Sequence, residues 1–160
     1  MPVYLFTFHA YRSWMPNHRR GFVRRDEGIL LPNRPLANIY RQQATDDEVE
    51  FDAQLQQLLI DEVLQSCQKQ NCETHFVATE LTHIHVLLSW RTVQTWKPIR
   101  TSLKSSLSRR LNRDLGRRPW LSEGASRKQV KDKPHFNYLV GQYLPKHHGW
   151  KWREGRGLYR

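Results

Sequence analysis

A chain of 160 residues with 38% hydrophobic and 11% aromatic side chains can fill one modest core, which excludes global disorder and argues for a single domain over residues 1–160. Two cysteines, Cys67 and Cys72, exclude a disulfide-stapled scaffold, and no run nears the roughly 18 apolar residues that span a bilayer, so a reducing cytoplasm without membrane contact is the expected setting. The net charge of +11 is uneven: residues 1–72 hold 8 Lys+Arg against 9 Asp+Glu, whereas residues 73–160 hold 18 against 6.

Val3–His9 is rich in β-formers and reads as a first strand. Residues 12–35 are punctuated by Pro16, Gly21, Gly28, Pro32 and Pro35, with room for a short hairpin near 21–31. Thr45 followed by Asp46, Asp47 and Glu48 predicts a helix start, with acids at the positive end of the dipole. Phe51, Leu55, Leu58, Leu59, Val63 and Cys67 then fall on one helical face, to about Gln68. Residues 74–79 and 83–90 read as a two-stranded hairpin turning through 80–82. A second helix is expected over 93–115, with Trp96, Ile99, Leu103, Leu107 and Leu111 in one stripe and Gly116 as its stop. Residues 117–131 read as a loop or short hairpin. A third helix starts near Asp132, with Pro134 in its first turn, and is broken or kinked by Pro145. Residues 146–160 form a basic, aromatic tail. The order of elements predicts an α+β sandwich with helices packed on an antiparallel sheet.

The sharpest motif is His83-Ile84-His85. Side chains alternate along a strand, so Ile84, Val86, Leu88 and Trp90 share a core face while both imidazoles emerge on the other. Two imidazoles a few ångströms apart are a natural ligand pair. On the third helix Tyr138 and Gln142 lie four residues apart and stack on one face, a phenol beside an amide oxygen. A phenol of ordinary pKa near 10 attacks a phosphodiester poorly unaided. A divalent ion held by two imidazoles and Gln142 would polarise the phosphate, and such a donor set suits Mg²⁺ or Mn²⁺.

The run Glu80-Leu81-Thr82-His83-Ile84-His85-Val86-Leu87-Leu88 resembles the HUH motif of the small single-tyrosine transposases, among them the REP-associated tyrosine transposases. The resemblance extends in order over most of the chain: strand, helix, histidine hairpin, basic helix, and a late helix with a tyrosine. It implies a ferredoxin-like sandwich with helices mainly on one face of the sheet. It also implies cleavage and strand transfer of single-stranded or hairpin DNA through a 5′-phosphotyrosine link, with the two histidines and a polar residue four after the tyrosine on the metal. Two pairs meet that spacing. Tyr138 with Gln142 lies on an uninterrupted turn and is placed first. Tyr143 with His147 is the alternative, and Pro145 inside it threatens to tilt His147 away. A homodimer, with the tyrosine helix acting in its own subunit or a partner's, is a further arrangement the resemblance leaves open.

The charge asymmetry itself points to a polyanion gripped by the second half. Lys97, Arg100, Lys104, Arg127 and Lys128 are the expected phosphate contacts, and Trp150 and Trp152 are expected either to stack on bases or, equally, to pack the tail against the sheet. A lesser possibility joins Cys67 and Cys72 to His83 and His85 as a zinc site. His9 approaches the histidine pair if the first strand neighbours theirs, while His18, His75 and His135 have no partner at ligand spacing. The competing functional reading is a catalytically inactive nucleic-acid-binding or regulatory domain of the same fold.

Overall fold

The computed structural model describes residues 1–13, 22–24, 28–43 and 46–160. In chain order the elements are β1 (Val3–His9), β2 (Phe22–Arg24), β3 (Gly28–Leu30), α1 (Arg34–Gln43), α2 (Ala53–Lys69), β4 (Cys72–Thr79) and β5 (His83–Trp90). They continue with α3 (Trp96–Leu115), β6 (Ser126–Gln129), α4 (Lys133–Tyr138), β7 (Lys151–Arg153) and β8 (Gly157–Tyr159). Between α4 and β7 the chain makes a π-helical turn, Leu139–Tyr143, and then a 3-10 turn, Leu144–Lys146.

One six-stranded antiparallel sheet runs in the order β6-β1-β5-β4-β7-β8, and β2 and β3 pair separately. Its first four strands with α2 and α3 make the β-α-β-β-α-β ferredoxin-like sandwich. Strand alternation sorts the side chains into two layers. Tyr4, Phe6 and Phe8 of β1 and Ile84, Val86, Leu88 and Trp90 of β5 join Leu59, Ile60 and Val63 of α2 and Ile99, Leu103, Leu107 and Leu111 of α3 in the larger core. Leu5, Phe76, Ala78 and Leu87 face the other way and are covered by Leu139 and Leu144 of the π and 3-10 turns. The long helices therefore occupy one face, and the short α4 segment closes the other.

The helical stripes of α2 and α3 agree with the sequence, and β2 pairs antiparallel with β3 where a hairpin was expected near 21–31, Gly21 and residues 25–27 lying outside the described residues. Four features differ. First, α2 begins at Ala53 rather than at Asp46, because Asp52 caps it by accepting the Leu55 N–H at 2.9 Å. The residues before it are spent on loop contacts: Val49 N–H donates to Tyr11 O at 3.1 Å and Phe51 N–H to Leu81 O at 2.7 Å, with both side chains buried. Second, α3 starts at Trp96, three residues later than predicted. Third, the tail is no loose appendage, since β7 pairs with β4 and β8 with β7. Fourth, α1 was not anticipated; Ala37 is its one buried residue. Among the described residues no helix is long and apolar enough to cross a membrane.

The stripe of α3 is fully enclosed, so truncating it opens a cavity that neighbours cannot collapse to fill. Leu107→Ala is expected to destabilise the fold by roughly 3 kcal/mol, measured as a lowered urea midpoint with an unchanged slope.

Candidate metal centre

β5 lies between β1 and β4, so the odd-numbered residues at its start project onto the face opposite α2 and α3. In the β1–β5 register Thr7 stands across from His85 and His9 across from His83. The β4–β5 register places Ala78 on the other side of His85, a side chain small enough to leave room for the ring. His85 is 6% exposed and His83 half-buried.

The third member comes from beyond the 3-10 turn. His147 has extended backbone, φ −67° and ψ 141°, and its ring centroid lies 4.7 Å from that of His85 and 5.6 Å from that of His83. One nitrogen from each of His83, His85 and His147 falls within 4.8 Å of the others, the only such cluster of His, Cys, Asp or Glu found among the described residues. Pro145, inside the 3-10 turn, thus does not carry His147 away from the pair.

Each imidazole is oriented through Nδ1. That of His85 is 2.7 Å from Thr7 Oγ1, and that of His83 is 2.9 Å from Thr82 Oγ1. His147 Nδ1 donates to Leu144 O at 3.1 Å. A carbonyl only accepts, so this bond fixes the His147 proton on Nδ1 and leaves the lone pair on Nε2. Outer-shell oxygens that hold a ring and its tautomer in this way are what a metal-binding histidine needs. Three imidazoles this close suit a divalent ion at about 2.0–2.2 Å from each nitrogen, with the remaining positions open to oxygen ligands.

Tyr143, at the end of the π turn, completes the group. Its hydroxyl is 3.5 Å from His85 Nε2, a long contact, and its ring lies 5.4 Å from that of His147. Glu80, Leu81, Thr82, His83, Tyr143, Lys146 and His147 line an open cleft of about 480 Å³ here. Tyr138 is 47% exposed and stacks on Tyr143 with centroids 6.3 Å apart, while Gln142 is exposed. Of the two tyrosine pairs, then, Tyr143 with His147 is the one gathered at the histidines.

His9 also reaches the site's edge, with its ring 5.8 Å from that of His83. The zinc arrangement does not form: Cys72 pairs with Trp90 at the far end of the β4–β5 hairpin from His83, and both thiols are buried in the helix-side core. Burial pushes the Cys67 thiol up to about 12, which disfavours the thiolate a metal requires. His75, at first sight an isolated residue, bridges Glu154 Oε2 at 2.9 Å and Ser89 Oγ at 2.7 Å.

The basic residues divide. Arg100 donates to Ala125 O at 2.6 Å and Lys104 to Ser122 O at 2.7 Å, tying α3 to the loop before β6. Arg127 lies 4.0 Å over the Trp96 ring, and Lys97 and Lys128 are exposed. Trp150 and Trp152 pack against the helix-side core rather than standing free for bases.

No protein-family model matches the chain, and no curated protein does. Solved structures do share its fold, and two of them bear on the site. One is a REP-associated tyrosine transposase bound to a REP hairpin, with a TM-score of 0.51 and 8% identity over 87% of this chain and 62% of that one. The chain therefore spans about 62% of that protein's length. The other, from Deinococcus radiodurans R1 and provisionally assigned as a transposase, has a TM-score of 0.52 and 13% identity over 93% of both chains. At these identities the likeness establishes the α+β fold common to all three.

Burial, with the neighbouring imidazoles as the smaller cause, pushes His85 down to about 2 and His83 down to about 4. Below the ordinary histidine range the unfolded chain takes up protons that the folded chain refuses, so stability falls as pH falls from about 6.5. Each such imidazole steepens the loss by up to about 1.4 kcal/mol per pH unit. Urea unfolding of metal-free protein between about pH 7 and pH 5 should show this slope, and His85→Asn should make it shallower by about one proton.

Proposed function

We propose that the chain is a metal-dependent nuclease and strand-transferase of single-stranded or hairpin DNA, with Tyr143 as nucleophile and His83, His85 and His147 as metal ligands. The observation that carries this reading is the convergence of one phenol and three oriented imidazoles, with Tyr143, His83 and His147 opening onto one cleft and His85 buried behind them. The fold shared with a transposase bound to a DNA hairpin supports it.

The ion, Mg²⁺ or Mn²⁺, would supply Lewis acidity toward a non-bridging oxygen of the scissile phosphate. Tyr143 Oη attacks phosphorus and releases its proton to water in the open cleft. The new Oη–P bond forms as the P–O3′ bond breaks, and the departing O3′ takes a proton from solvent to become a free 3′-hydroxyl. The 5′-phosphotyrosine link preserves a phosphodiester, so a second 3′-hydroxyl can reverse the step and join a different end. All four side chains come from one chain, so the proposed site needs no second subunit. Tyr138, stacked on the outer side of Tyr143, buttresses the nucleophile in this reading. Gln142, which the spacing offered as the amide ligand, is replaced in that role by His147.

The test is a denaturation-resistant protein–DNA adduct formed from single-stranded hairpin oligonucleotides with Mn²⁺. Tyr143→Phe is expected to abolish the adduct, and Tyr138→Phe to retain it within about tenfold. An adduct that persists in Tyr143→Phe would remove the assignment. Lys128→Ala is expected to weaken DNA binding across sequences and to lower the salt dependence by about one counterion.

A further inference from the structure

The segment that carries His147 is held to the sheet by contacts that take no part in the proposed chemistry. Lys151, the first residue of β7, is only 5% exposed. Its ammonium donates to His147 O at 2.7 Å and Gly149 O at 2.9 Å and lies 5.6 Å from the Tyr159 ring centroid. A lysine at this depth is uncommon and needs acceptors. The acceptors here are main-chain carbonyls of the residues on either side of His148.

His148, Gly149 and Trp150 are gripped from the end of β4, the turn after it and α2. Glu80 Oε1 accepts the His148 N–H at 2.7 Å, and Thr79 O accepts the Gly149 N–H at 3.1 Å. Gln56 Oε1 accepts the Trp150 N–H at 3.0 Å, while Thr79 Oγ1 donates to Trp150 O at 2.6 Å. Gly149 lies so close to this wall that a Cβ on it would stand 2.6 Å from Thr79 Oγ1 and 2.7 Å from Gln56 Oε1. His147 follows a broken helix, and its own N–H reaches only Leu144 O, at 3.3 Å. The preceding turn therefore holds His147 through Leu144 O alone, which also accepts its Nδ1–H at 3.1 Å, and the remaining contacts on residues 147–150 come from the clamp.

We propose that Lys151, with Glu80 across the segment from it, is a positioning residue of the metal centre: together they fix the main chain at 147–149 so that the His147 imidazole stands beside His83 and His85 before an ion arrives. The inference rests on the metal-centre reading above. Its chemistry is preorganisation: a ligand already ordered loses no chain freedom on binding, so the ion is held more tightly.

The experiment is a Mn²⁺ titration of the full chain, followed by the free-ion EPR signal, with circular dichroism reporting the fold. Lys151→Met keeps the apolar stem and removes the ammonium. The expected result is a folded protein whose Mn²⁺ dissociation constant rises about 10–100-fold. Glu80→Ala should shift it in the same direction by a smaller factor. A folded Lys151→Met with wild-type affinity overturns the inference and leaves the metal centre standing. Should Lys151→Met fail to fold, Glu80→Ala decides, and an unchanged affinity there overturns it equally. Wild-type protein that is folded yet binds no Mn²⁺ removes the metal centre itself, and this inference with it.

Discussion

Everything at the candidate site depends on β5 being hydrogen-bonded on both edges and covered on both faces. Between β1 and β4 it has no freedom to slip, and its period of two must satisfy two layers at once. Ile84, Val86, Leu88 and Trp90 fill the core beneath α2 and α3, which forces His83, His85, Leu87 and Ser89 onto the opposite face. A register shift of one residue would bury two imidazoles in the helix-side core and withdraw four large apolar side chains from it. The hydrophobic core thereby aims the histidines.

The opposite face needs a cover, and the cover brings the phenol. Leu139 and Leu144 are both buried in the smaller core and are five residues apart. An α-helix would splay that spacing, but a π turn accommodates it: the Leu144 N–H bonds back to Leu139 O. The extra residue in the turn also changes which side chains share a face. Tyr143 comes inward to His85, while Tyr138 and Gln142, neighbours in a regular helix, remain at the surface. The spacing of Tyr143 and His147 therefore does not arise from one helical turn. Packing of the leucines places the first, and docking of the tail onto β4 places the second.

This explains what was legible in the sequence and what was not. Strand alternation needs only residue order, so the orientation of His83 and His85 and the stripes of Ile99, Leu103, Leu107 and Leu111 could be read directly. The N-cap at Asp132, which accepts the His135 N–H at 2.8 Å, was legible for the same local reason. What brings Tyr143 rather than Tyr138 beside the histidines is a π turn, whose signal is a five-residue leucine spacing that i, i+4 reasoning does not weigh. Strands β7 and β8 have three residues each, and neither shows an apolar alternation that would mark it as a strand. They become strands by pairing with β4 and with each other, information that lies far away in the chain. The start of α2 was misplaced because Asp46, Asp47 and Glu48 mimic a helix N-terminus, while Asp52 supplies the cap.

Charge was legible in amount but not in use. Arg110 is enclosed by Asp61, Glu62 and Asp114 at 3.1, 3.2 and 2.6 Å, which joins α2 to α3 and raises its pKa beyond its already high ordinary value. Arg100, Lys104 and Lys151 donate to carbonyls, so several cations of the basic half act as structural staples. The basic residues of β6 are sorted by strand alternation again. On β6, Arg127 stands across from Phe6 and turns toward Trp96 and α3, whereas Lys128 stands across from Leu5. Leu5 in turn pairs with Leu87, two residues along β5 from His85. Lys128 therefore emerges on the histidine face, two strands from His85, where the proposed DNA backbone running toward Tyr143 would pass it.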